Sequence, residues 1–200
     1  MIAFFAGLAA GLLHVFSGPD HLAAIAPLAL SEQTSRGSRG LRVEGWKTGF
    51  QWGVGHTAGV VLIATLLLLL KDQLPLGAIS AYSERIVGLS LIAVGGWGIW
   101  KATRAVITPH SHAGASFLMG TIHGLAGSSH LFGVLPALAF SARIDSFLYL
   151  AAFGIGALAG MTAFAAGIGT IAIRFGNFRG ILYASSAAAL LIGGVWLVGR

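Results

Sequence analysis

The sequence predicts an all-α integral membrane protein, with six transmembrane helices as a 3+3 inverted repeat and helices 1 and 4 interrupted. Three observations carry that expectation. Hydrophobic residues make up 56% of the 200 residues and charged ones only 9%, where a soluble domain carries about a quarter charged. Apolar stretches approaching the roughly 20 residues needed to cross a bilayer recur along the whole chain. A histidine-bearing motif near the N-terminus returns without gaps in the second half.

The spans are expected at 2–30, 46–70, 82–103, 114–141, 146–173 and 180–199. The opening MIAFFAGLAAGLLH is apolar without a basic flank, so it reads as the start of a retained span rather than a cleaved signal. The polar, Gly/Ser-rich SEQTSRGSRGLRVEG (31–45) reads as a surface loop, and KDQLPLGAISAYSER (71–85) leaves room for a short interfacial turn. Loops 1–2, 3–4 and 5–6 hold Arg36, Arg39, Arg42, Lys47, Lys101, Arg104, Arg174 and Arg179. The opposite side holds Lys71, Arg85, Arg143 and Arg200. The positive-inside bias therefore places the first side in the cytoplasm and both termini outside, in the inner (cytoplasmic) membrane.

The net charge of +6 and pI of about 10.6 are explained by these loops, so no nucleic-acid partner is implied. The mean hydropathy of +0.85 fits a lipid bilayer as the surroundings and leaves room for a homo-oligomer. The chain has no cysteine, which excludes disulfides and thiolate metal sites. It has no HExxH, no GxSxG and no stretch left over for a soluble catalytic domain, so it is not expected to be an enzyme.

The repeat aligns GLLHVFSGPDHLAAIAPLA (11–29) with GTIHGLAGSSHLFGVLPAL (120–138). Gly11, His14, Gly18, His21 and Pro27 match Gly120, His123, Gly127, His130 and Pro136. GVGHTAG (53–59) parallels GIGALAG (154–160), and IAVGG (92–96) parallels LLIGG (190–194). The halves are 1–103 and 114–200, one membrane domain of two three-helix repeats. An odd number of spans per half inverts the second half, a recurrent transporter design.

Asp20 lies well inside the first apolar segment. A carboxylate at a bilayer centre costs about 2.5–3.5 kcal/mol on insertion scales, so it is expected to face a cavity or a cation. Five histidines accompany it: His14, His21, His56, His123 and His130. In a straight helix His14 and His21 share a face but stand two turns, about 10 Å, apart. Ser17-Gly18-Pro19 is expected to break the helix, because proline lacks the amide N–H and glycine permits a bend. The break can bring His14 toward Asp20 and His21. Gly127, Ser128 and Ser129 occupy the same place in the second half. The expected metal ligands are therefore His14, Asp20, His21, His56, His123 and His130, with Ser17, Thr57, Ser128 and Ser129 as further oxygen donors. Imidazole-rich, cysteine-free chemistry favours a borderline divalent ion: Ni2+ or Co2+ first, then Zn2+, Fe2+ or Mn2+. Gly53, Gly55 and Gly59 form a small-residue face around His56. Helix 5 has Ala157 where helix 2 has His56, so the site is expected to lean on the first half. His110 and His112 fall in a loop and read as incidental.

HVFSGPDHLAAIAPLA, WGVGHTAGV and HGLAGSSHLFGVLPAL resemble the UreH-like membrane proteins, which are related to the nickel/cobalt transporter family. The resemblance runs along essentially the whole chain. The permeases carry His-x4-Asp-His in an early helix, whereas five residues separate His14 from Asp20 here. The resemblance implies nickel or cobalt transport, with His14, Asp20, His21 and His56 at the ion site. The function expected on these grounds is a secondary divalent-metal transporter working by alternating access between the halves. The alternatives are a sulfite-exporter-like anion transporter and a membrane accessory protein for metalloenzyme maturation.

Overall fold

The computed structural model describes the backbone of residues 1–34, 45–70, 76–104, 113–126 and 128–198, and the side chains of these except 32–34, 67–70, 76–84, 113, 128–132 and 138. Among the described residues the fold is all-helical: α1 (Ile2–Ser17), α2 (Pro19–Thr34), α3 (Gly45–Leu70), α4 (Leu76–Thr103), α5 (Ala113–Ala126), α6 (Ser128–Ala139), α7 (Arg143–Phe175) and α8 (Phe178–Val198). The first expected span is α1 and α2, meeting at Gly18 with a bend of 72°. The fourth is α5 and α6, meeting at residue 127, which lies outside the described residues.

By length and composition, the stretches Arg85–Thr103, Arg143–Phe175 and Phe178–Val198 are long and apolar enough to cross a membrane. The bent α1–α2 pair makes a fourth if it is one span. The molecule is thus a helical membrane protein, while six spans exceed what the described helices establish. The reason lies in the other elements. The last four residues of α3 have no described side chains, and α5 and α6 are only 14 and 12 residues long.

Glycines set the packing. A Cβ on Gly7 or Gly11 would collide with the carbonyl of Tyr149 or Phe153, so α1 and α7 lie in backbone contact and run in the same direction. Likewise Gly120 and Gly124 bring α5 against the carbonyls of Trp52 and His56 on α3. Helices α3 and α7 cross antiparallel, with Gly53 against Leu158 and Gly154 against Thr57. Helices α4 and α8 are also antiparallel, Gly88 meeting Gly193 and Gly95 meeting Ser186. Residues four apart share one helix face, so each glycine pair makes one smooth strip. Such strips drive helix association in lipid, where burying apolar surface gains little.

The main core gathers Val15, Ile25, Trp52, Leu91, Met161 and their neighbours. Leu62, Leu89, Ile155, Leu191 and Val195 point outward, as a lipid-facing surface requires. Helix α7 ends at Gly176, whose φ of 61° is the left-handed conformation that closes a helix.

The contact strips separate two classes of glycine. Gly11→Ala and Gly120→Ala should each destabilise the purified protein by about 1–3 kcal/mol, the usual cost of overpacking. Gly167→Ala, whose Cβ would meet nothing within 4 Å, should be neutral or stabilising by up to about 1 kcal/mol. Thermal unfolding in detergent reads the difference; equal effects at the three positions would contradict the packing.

Candidate metal centre

The centre is built on the α1–α2 break. Pro19 is the first residue of α2, where a missing N–H costs nothing and the fixed φ suits the helix. Gly18 is extended, with φ −91° and ψ 96°. Its N–H donates to the His14 carbonyl at 3.1 Å, and the His21 N–H donates to the Gly18 carbonyl at 3.2 Å. The chain therefore turns without abandoning its own polar groups.

The turn places the His14 and His21 ring centroids 4.7 Å apart. Helix α3 adds His56, whose ring stands 5.7 Å from His14 and 4.9 Å from His21. One nitrogen from each imidazole lies within 4.8 Å of the others, and all three residues are buried. A tetrahedral ion with bonds of about 2.0–2.1 Å holds its ligand atoms about 3.3 Å apart. An inward shift of roughly an ångström per side chain would close the set on an ion, so the donors fit a borderline divalent metal in type and spacing.

Asp20 is buried, at 1% exposure, but stands outside this trio. Its Oδ1 lies 3.1 Å from His21 Nδ1, and its Oδ2 lies 3.4 Å from His123 Nε2 on α5. The expected ligand set is thus divided: three imidazoles converge, while Asp20 and His123 sit behind His21. His123 keeps its ring 5.4 Å from His21. The oxygen donors are engaged elsewhere. The Ser17 hydroxyl donates to the His14 carbonyl at 3.4 Å, and the Thr57 hydroxyl to the Gly154 carbonyl at 3.3 Å. Gly127, His110 and His112, and the side chains of Ser128, Ser129 and His130, lie outside the described residues. The trio comes wholly from the first half.

Two wall residues escaped the sequence reading. Phe153 lies 5.4 Å from His14, and Trp52 lies 5.5 Å from His123. They occupy matched positions, one residue before the aligned Gly53 and Gly154, so extending that alignment by one step finds them. His56, Val60, Val61, Leu150 and Phe153 line a narrow cleft between α3 and α7 with no room for a water molecule, so His56 has apolar surroundings on that side.

Gly18 was expected to serve by flexibility, but its dihedral angles suit any residue. What excludes a side chain is space. A Cβ there would stand 2.5 Å from His21 Nδ1 and 2.9 Å from Asp20 Oδ1. Gly18→Ala should therefore disturb the His21–Asp20 pair while leaving both helices formed. The expected readout is unchanged far-ultraviolet circular dichroism with Zn2+ affinity reduced at least tenfold. Unaltered affinity would contradict the close approach.

The comparisons with known proteins correct the transport expectation. No protein-family model matches the chain, and no solved structure matches it. Two curated relatives from Arabidopsis thaliana, named chloroplast protein for growth and fertility 1 and 2, are each 43% identical over 97 residues. These are chloroplast growth and fertility proteins by name, and neither name speaks of metal transport. They replace the resemblance to UreH-like and nickel/cobalt transporters, and with it the secondary-transporter function; the anion-exporter and maturation alternatives gain nothing from them. Placement in a bacterial inner membrane also finds no support in relatives that are chloroplast proteins. The motifs misled because they record a helix break and close helix packing, which do not specify a cargo. The matched region is 48% of this chain and 24% of each relative, so the chain spans about a quarter of the length of the proteins it is similar to.

Proposed function

We propose that the protein binds a divalent transition-metal ion within the membrane through His14, His21 and His56. The observation that carries the reading is the convergence of three buried imidazoles, from α1, α2 and α3, with ligand atoms within 4.8 Å of one another. The ion is the bound species, and no transport step is assigned to it.

Magnitudes favour an ion over interhelical hydrogen bonding alone. Polar contacts between membrane helices contribute about 0.6 kcal/mol each on average. Inserting one carboxylate costs about 2.5–3.5 kcal/mol. A structural zinc ion contributes about 10–16 kcal/mol of apparent binding free energy. The ion is the largest of these contributions.

The six-span inverted repeat belongs to the same reading. The corresponding helices α3 and α7 run antiparallel, as do α4 and α8, and inversion requires that. Gly11 meets the Phe153 carbonyl while its counterpart Gly120 meets that of Trp52. Gly156 meets the Leu8 carbonyl while its counterpart Gly55 meets that of Phe117. These reciprocal contacts support two halves related by a local twofold axis lying in the membrane plane.

Metal analysis of the full chain, purified in detergent and dialysed after exposure to Zn2+ or Co2+, tests the reading. About one ion per chain is expected. His21→Ala should lose it, and His14→Ala or His56→Ala should weaken binding beyond the roughly 10–100-fold typical of losing an outer-shell partner. A wild-type chain that retains no metal, or a His21→Ala chain that retains all of it, contradicts the assignment.

A further inference from the structure

Resting on that reading, we propose that Asp20 is not a ligand but the positioning residue of the metal centre: it fixes which nitrogen His21 presents to the ion, and it ties the centre to α5 through His123. The geometry begins with direction. The Asp20 carboxylate approaches His21 at Nδ1, 3.1 Å away. An ionised carboxylate only accepts hydrogen bonds, so Nδ1 carries the hydrogen and the neutral ring keeps its lone pair at Nε2. A histidine ligand whose other nitrogen donates to a carboxylate is held in one tautomer and one ring orientation, and becomes a stronger donor to the metal. Asp20 is suited to this duty because it is the immediate neighbour of His21 in the first turn of α2, where the helix N-terminus favours negative charge.

The second oxygen gives the carboxylate a second task. Oδ2 faces His123 Nε2 at 3.4 Å, and His123 is fully buried on α5. His123 corresponds to His14 in the repeat, yet it is absent from the converging trio. Its place is behind the carboxylate, where it holds the outer side of Asp20. The order His123, Asp20, His21, ion then links the second half of the chain to a centre made of first-half ligands. Gly18 completes the arrangement, since any larger residue there would press on both His21 Nδ1 and Asp20 Oδ1.

The test uses the full chain in detergent with Zn2+ and Co2+ as probes. In wild type labelled with 15N-histidine and loaded with Zn2+, His21 should show a protonated Nδ1 and a metal-bound Nε2. Asp20→Asn keeps an acceptor oxygen without the charge, and should raise the Co2+ dissociation constant about 10–100-fold with the number of coordinated imidazoles unchanged. His123→Ala should raise it less, again with the same imidazoles bound, and His123→Gln, which retains a donor, should recover part of the loss. Metal on Nδ1 of His21, an oxygen ligand that disappears in Asp20→Asn, or unchanged affinity in that variant would each overturn the assignment of Asp20. Wild-type protein that binds neither ion would instead remove the metal reading, and this inference with it. Should Asp20→Asn fail to fold, the wild-type tautomer alone still decides.

Discussion

A carboxylate deep inside an apolar bundle constrains everything near it. Asp20 is buried from solvent and from lipid alike, and its oxygens find two imidazole nitrogens within 3.4 Å. His21 is its neighbour in α2 and His123 comes from α5, while the break at Gly18 brings His14 to the same place. In an unbroken helix, His14 would stand two turns away from His21 and the site would have no third side. The break in turn depends on the order of three residues: a serine that ends α1, a glycine with no side chain to crowd the pair, and a proline that opens α2 where its missing N–H is harmless. Local backbone chemistry thus precedes the site and makes it possible.

The bundle around this site is held by close backbone approach. Glycines at four-residue spacing let α1 lie on α7 and α5 on α3, each carbonyl of the partner helix filling the space where a Cβ would be. Interfaces built from carbonyls and glycines leave little freedom for one helix to slide along another. They fix the height at which His56 on α3 meets the α1–α2 elbow, and the height at which His123 on α5 meets Asp20. Packing and site chemistry are coupled for that reason: Gly124, which seats α5 against the His56 carbonyl, lies next to His123.

Much of this was legible in the sequence. The membrane character followed from composition, the break from Ser17-Gly18-Pro19, and the candidate site from histidines and an aspartate in otherwise apolar surroundings. Other parts were hidden for physical reasons. Asp20 and His21 are adjacent in sequence, so spacing alone did not tell a ligand from the carboxylate behind one; that depends on which way the first turn of α2 faces. Ser17 and Thr57 offered hydroxyls, but backbone carbonyls within reach claimed them. Gly18 was expected to act through flexibility and acts through size. Phe153 and Trp52 carry no chemical signature, and only the repeat marks them. The cargo and the transport function did not follow from the motifs, because the same residues satisfy helix breaking and close packing whatever the protein does.

The central claim is that His14, His21 and His56 close on one ion while Asp20 stays outside the bonding shell. Anomalous diffraction at the zinc edge, from crystals of the full chain grown with Zn2+, addresses it most directly. The account predicts a single peak within the α1–α2 elbow, about 2.0–2.1 Å from one nitrogen of each of the three histidines, with Asp20 bonded to His21 Nδ1 and not to the ion. A peak coordinated by Asp20 would move the carboxylate into the shell. The absence of any peak at the three histidines would contradict the metal centre itself.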